Sequence, residues 1–241
     1  MKHYICHAIV FFGIATTSVQ ADELSREDVK EIVLETLREN PEILLEVSEI
    51  LQRKQQQAEA ARVTQTLGAL RPQLENDPNA PVLGNPNGDV TVVEFFDYNC
   101  PYCRQAKPTV EALLAQDPNV RLVYREWPIL GEGSVFAARA ALASRNQGKY
   151  EEFHWAMMGM QGRAEETSVL RIAESIGLDI DQLIIDMESP EIDQHFAASV
   201  ELTKALGFGG TPSFVVGDAL VPGLIEIDAM TQLVDQARAK N

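Results

Sequence analysis

The sequence predicts an α/β sheet domain that carries an inserted helical block and follows an N-terminal helical extension. Three observations predict it. Val90–Phe96 (VTVVEFF) and Val120–Glu126 (VRLVYRE) are compact apolar runs on either side of a helical stretch, Pro101–Ala115; such a unit calls for a right-handed parallel crossover. Ser213–Val216 and Ala219–Val221 read as a strand pair around Gly217-Asp218, followed by an amphipathic helix over Ile225–Ala239. Between them, residues 133–206 are mostly helical, with breaks at Gly148, Gly159–Gly162, Gly177 and Pro190.

Composition bounds the function. The chain has 241 residues, 45% of them apolar and 23% charged, which is ordinary for a globular protein. Its formal net charge is −16. A nucleic-acid partner needs a basic face, and none is legible, so no nucleic acid is expected. Gly131-Glu132-Gly133 and Gly207–Gly210 lack the spacing of a phosphate cradle.

Residues 1–21 read as a signal peptide. Lys2 precedes an apolar run from Ala8 to Ala15, and small residues lead to Val19-Gln20-Ala21. The run is too short to span a bilayer. Cleavage after Ala21 would export the chain to an oxidising space, a bacterial periplasm, and remove Cys6. Cys100 and Cys103 would then be the only cysteines.

Residues 22–75 read as a helical oligomerisation segment. Ser25 and Asp28 form a capping box, and Val29, Ile32, Val33 and Leu37 follow at helical spacing. Asn40-Pro41 breaks and restarts the helix. A second helix from Pro41 to about Leu67 carries Leu44, Val47 and Leu51, then a polar stretch over Gln52–Gln65. The segment has too little apolar surface for a core of its own, and self-association is the favoured reading. Residues 76–89 (NDPNAPVLGNPNGD) read as a linker, and 90–241 as the catalytic domain.

The chemistry concentrates at Cys100-Pro101-Tyr102-Cys103, after a buried strand and at the start of a helix. Pro101 suits the first helical position, which places Cys100 at the N-cap. Unpaired N–H groups and the positive dipole end favour thiolate there. Cys100 is therefore the candidate nucleophile, and Cys103, one turn further in, the resolving thiol. No cofactor beyond this redox-active pair is expected. A zinc site needs about four ligands, more than one Cys-x-x-Cys supplies. Cu(I) on Cys100 and Cys103 is the competing reading from another class, a copper-transfer protein. Met157, Met158 and Met160 beside His154 read as core rather than copper ligands. His195 lies on a polar helical stretch and reads as solvated.

These residues resemble the thioredoxin superfamily, so a thioredoxin-like fold is expected. The resemblance implies three roles. Glu94, six residues before Cys100, matches a buried acid that assists proton transfer at the inner cysteine. Pro108 matches the proline that kinks the active-site helix. Thr211-Pro212, after Gly207-Phe208-Gly209-Gly210, matches a cis-proline loop. With Pro101 and Tyr102, that loop would meet the substrate. The motifs Glu126-Trp127-Pro128-Ile129-Leu130-Gly131 and Tyr150-Glu151-Glu152-Phe153-His154 resemble the DsbA-like branch. Glu39-Asn40-Pro41-Glu42 and the helical extension resemble the suppressor-of-copper-sensitivity C-type (ScsC-like) proteins, whose extensions make oligomers.

The resemblance implies a periplasmic thiol-disulfide oxidoreductase acting on misfolded or reduced exported proteins. It implies a membrane thiol-disulfide electron-transfer partner and a homo-oligomer, trimer before dimer. Pro-Tyr between the cysteines and Thr before the proline favour isomerase or reductase action over a DsbA-like dithiol oxidase.

Overall fold

The computed structural model describes residues 24–240. The expected signal peptide, residues 1–21, lies outside them. The chain divides between Gln56 and Gln57 into two compact units.

In the first unit, α1 (Arg26–Glu39) starts at the expected capping box: the Ser25 hydroxyl accepts from the Asp28 N–H, and the Asp28 carboxylate accepts from the Ser25 N–H. Asn40 closes α1 instead of opening the next helix, its N–H and its side chain both donating to the Thr36 carbonyl (2.9 and 3.0 Å). α2 (Glu42–Glu75) then begins. No residue of α1 is buried, and Ile32, Val33, Leu44, Leu45 and Leu51 are all exposed.

The second unit holds the sheet. Its strands are β1 (Val82–Gly84), β2 (Val90–Phe96), β3 (Val120–Glu126), β4 (Ser213–Val216) and β5 (Ala219–Pro222), in spatial order β1-β3-β2-β4-β5. β2 and β3 run parallel, joined by α3 (Pro101–Gln116) as expected; the other pairs are antiparallel. The inserted block is α4 (Glu132–Ala143), a 3-10 turn (Ser144–Gln147), α5 (Tyr150–Met158), α6 (Glu166–Ser175), α7 (Ile180–Asp186) and α8 (Pro190–Leu206). α9 (Ile227–Arg238) closes the chain.

Both faces of β2 are covered, which is why it reads as continuous apolar sequence. Alternation sends Val92 and Phe96 into one core with Cys103, Ala106 and Val110 of α3 and Met230 and Val234 of α9. Val93 and Phe95 enter the opposite core. Glu94 shares the parity of Val92 and Phe96, so the strand aims it toward α3.

Two expectations are corrected here. α2 does not end near Leu67 but at Glu75, and Leu67 and Leu74 are buried in the core that holds Val93, Phe95 and Leu202. The break between units therefore falls at residue 56/57, well before the expected linker, and that linker contributes β1. The reason is compositional. Four apolar residues, Val63, Leu67, Leu70 and Leu74, recur every three to four positions and reach the sheet.

His195 is not solvated; it is 0% exposed. Its Nε2 lies 2.8 Å from Glu126 Oε2, and Nδ1 lies 3.7 Å from Asp77 Oδ2. Asp77 also pairs with the buried Arg125, and Tyr150 donates its hydroxyl to Glu126 Oε1 (2.6 Å). Burial alone would raise the Asp77 pKa. The neighbouring His195 ring, the hydrogen bond from the Asn79 N–H and the Arg125 pairing outweigh that and hold it well below the usual carboxylate range. The polar stretch around His195 thus hides one inward position whose partners lie far away in sequence.

Candidate active site

The site is built where β2 ends and α3 begins. Pro101 is the first residue of α3, and Cys100 is its N-cap. The Cys103 N–H donates to Cys100 Sγ (3.4 Å), so sulfur does the capping an oxygen usually does. Both cysteines are free thiols. The Thr211-Pro212 peptide bond is cis, and Cys100 Sγ donates to the Thr211 carbonyl (3.2 Å). Cys100, Cys103, Thr211 and Pro212 therefore meet, as the sequence led one to expect. Tyr102 is 58% exposed beside them.

The two thiols differ sharply. A hydrogen bond from the Cys103 side chain, aided by the Thr211 side chain and by the N–H groups of Cys103 and Tyr102, outweighs burial and lowers the Cys100 pKa to about 6. At neutral pH such a thiol is mostly thiolate. Burial, the bond to Cys100 and the Glu94 charge push Cys103 far above its ordinary value. Glu94 is 2% exposed; burial, then the Cys100 charge, raise its pKa to about 8. The expected inward-facing acid is thus in place, and a carboxyl poised near neutrality can exchange a proton with a buried thiol.

The loop before the cysteines is fastened on both sides, and these residues the sequence reading missed. The Asp97 carboxylate accepts from the N–H groups of Ile129 (2.8 Å), Leu130 (2.9 Å) and Asn99 (2.7 Å). Asn99 accepts from the Ala164 N–H (2.7 Å) and donates to the Ala164 carbonyl and the Ser134 hydroxyl. Gly133 completes this junction: a Cβ there would sit 2.1 Å from the Ala164 carbonyl oxygen. An Asp-x-Asn turn just before the cysteines was the one available signal. Its long-range partners were not legible.

His154 belongs to the buried aromatic cluster, stacked on Tyr150 and 3.1 Å from the Tyr98 hydroxyl. Burial, with the nearby Lys107 charge, lowers its pKa to about 3. Met157 and Met158 are core side chains, as expected. Among the described residues, no group of three or more His, Cys, Asp or Glu converges to hold a metal.

The chain matches the DSBA-like thioredoxin domain family over residues 91–235. It belongs to that family. Residues 91–235 are thus a domain of the DsbA-like thiol-disulfide oxidoreductase type. Residues 26–58 match a second family, the copper resistance protein ScsC N-terminal domain. The chain is 69% identical to a thioredoxin-like oxidoreductase from Silicibacter pomeroyi DSS-3, with TM-score 0.69, covering 70% of this chain and 98% of that one. Proteus mirabilis ScsC in a transitional conformation is 29% identical, with TM-score 0.68, covering 89% of this chain and 97% of that one. Among curated proteins, the Na(+)/H(+) antiporter NhaA 1 of Salinispora arenicola is 33% identical over 160 residues. The chain spans only 24% of that antiporter's length. In this DSBA-like domain, the matched region holds both cysteines, Thr211 and Pro212.

Proposed function

We propose that this protein is a periplasmic disulfide isomerase or reductase that acts as a homo-oligomer on misfolded exported proteins. Cys100 and Cys103 are its catalytic thiols, Glu94 its proton-transfer acid, and Pro101, Tyr102, Thr211 and Pro212 its substrate-binding rim. The Cys100 thiolate attacks one sulfur of a substrate disulfide. That S–S bond breaks, a mixed disulfide forms, and the departing substrate thiolate takes up a proton. In isomerisation a second substrate thiolate attacks the mixed disulfide and returns Cys100 reduced. In the mixed disulfide Cys100 has no charge to oppose ionisation of Glu94, so in reduction Cys103 gives its proton to the ionised Glu94 carboxylate and attacks Cys100 Sγ. The substrate leaves as a dithiol, and Cys100–Cys103 becomes a disulfide. A membrane thiol-disulfide electron-transfer protein must then return two electrons.

The observation that carries the isomerase reading is the first unit. Ile32 and Val33 of α1, with Leu44, Leu45 and Leu51 at the start of α2, stand in solvent. Apolar surface of that kind marks an association face. An oligomer would present several Cys100 thiolates to one misfolded chain, and weak contacts would add through effective concentration.

The test is reactivation of scrambled ribonuclease by the reduced full chain, beside an Ile32→Glu/Val33→Glu variant and Cys100→Ala. Recovery by wild type alone supports the reading. Recovery by the charged variant, shown monomeric by light scattering, removes the oligomer from it. No recovery, with rapid oxidation of reduced ribonuclease by the disulfide form, makes the protein a DsbA-like oxidase. Stoichiometric Cu(I) binding by Cys100 and Cys103 that outlasts exchange with disulfides makes it a copper-transfer protein.

A further inference from the structure

Arg104 follows Cys103 in the first turn of α3. That end of a helix favours negative charge, so a cation there is unfavourable unless something answers it. The α3 first turn has no acidic residue. Arg104 folds back over the turn and donates to three carbonyl oxygens: Tyr98 (3.0 Å), Gly162 (2.6 Å) and Met160 (3.4 Å). Its Nη2 is buried with no hydrogen-bond partner. Among the described residues, no carboxylate comes within ion-pair distance of it; the nearby Asp97 gives its oxygens to backbone N–H groups. An orphaned buried donor on a charged group is costly and needs a reason. Carbonyl oxygens alone do not supply one, since they would be served as well by a neutral amide.

Asp97 places a fixed carboxylate near this turn, and the negative charge that comes and goes with redox state is sulfur. When the site is reduced, Cys100 carries a thiolate four residues before Arg104, at the same helix end; when it is oxidised, that charge is gone. Tyr102, between the cysteines, has no positive charge to offer. The geometry points to Arg104 as the counter-cation of the reduced site: a positioning residue that clamps the 98–104 turn to the 160–162 loop and sets the redox poise by favouring thiolate over disulfide. The Asp97 charge first, and then the Cys100 and Cys103 charges, oppose the burial that lowers the Arg104 pKa, while the Arg163 charge adds to it. The inference rests on the exchange chemistry of the family and holds for an isomerase, a reductase or an oxidase alike.

Three variants separate charge from clamp. Arg104→Gln keeps amide donors without the charge, Arg104→Lys keeps charge without the fork, and Arg104→Met keeps neither. Each full-length protein is equilibrated in glutathione buffers, and its thiol content is read by alkylation and gel shift. Thermal unfolding is recorded alongside. A facing opposite charge shifts such equilibria by about tenfold or more. Gln and Met are expected to move the constant about tenfold toward disulfide, roughly 30 mV in potential. Lys is expected to stay within about twofold of wild type. A Gln variant that matches wild type would overturn the proposal, as would a Lys variant that shifts as far as Met. Either result would leave Arg104 a clamp alone. Should Met fail to fold, Gln and Lys still decide between these outcomes.

Discussion

Residues 24–56 and the unit from Gln57 onward solve opposite problems. The first leaves apolar side chains in water: Leu45 is 69% exposed, and no residue of α1 is buried. The second takes charge out of water. Arg125, Glu126 and His195 are fully buried, and Glu94 is nearly so. Ordinary folding does the reverse on both counts. In the function proposed above, the exposed apolar surface of the first unit is an association face. Misplaced charge points inward, to chemistry or to a network that fixes a junction. In that proposal the contrast separates a unit that would assemble from a unit that would react.

That contrast can be broken at its most expensive point. His195→Ala strips one partner from a buried network and leaves the Glu126 carboxylate with the Tyr150 hydroxyl alone, which should cost about 3–5 kcal/mol. Urea unfolding followed by tryptophan fluorescence measures it. A loss below about 1 kcal/mol, the range of an exposed pair, would mean the buried network contributes little.

Glu94→Gln sharpens the account next. In the folded chain burial keeps Glu94 protonated up to about pH 8, whereas its unfolded value is 4.5. Between those values the unfolded chain has released a proton that the folded chain still holds, so wild-type stability falls as pH rises from 4.5 to about 8. The Gln variant lacks this slope. It should be the more stable protein above about pH 8, by at most about 5 kcal/mol. It should also resolve mixed disulfides at least ~100-fold more slowly. Paired urea titrations at pH 4, 6 and 8, with stopped-flow resolution, check both. Parallel stability curves would show that Glu94 is not held neutral by the fold.

The smallest effect lies in the first unit. Ser25→Ala removes the α1 cap and should cost about 1 kcal/mol of that helix. It should leave the glutathione equilibrium of Cys100 unchanged. Circular dichroism and the redox titration measure the two sides. A shifted equilibrium would join the units more closely than the comparison allows.

Much of this was legible because it is local. A strand, a Cys-Pro start and a Cys-x-x-Cys spacing place both thiols without any tertiary information. β2 and β3 have the expected ends for the same reason: their apolar runs are bounded by turn residues. Glu94 was legible through resemblance, from its place six residues before Cys100. His195 was not, because its partners Glu126 and Asp77 lie on distant elements much earlier in the chain. Nor was the true unit boundary, because Val63, Leu67, Leu70 and Leu74 look the same in sequence whether their stripe meets a sheet or another helix. Asp97, Asn99 and Arg104 escaped notice because backbone groups, which carry no sequence identity, are most of their partners.

The central claim is that Cys100 attacks and Cys103 resolves. Trapping tests it most directly. Cys103→Ser and Cys100→Ser proteins are each reacted with a disulfide-bonded substrate, and the adducts are weighed by intact mass spectrometry. The expected result is a stable covalent complex on Cys100 in the Cys103→Ser protein and none in the Cys100→Ser protein. Equal trapping by both, or capture on Cys103 alone, would contradict the assignment and the account built on it.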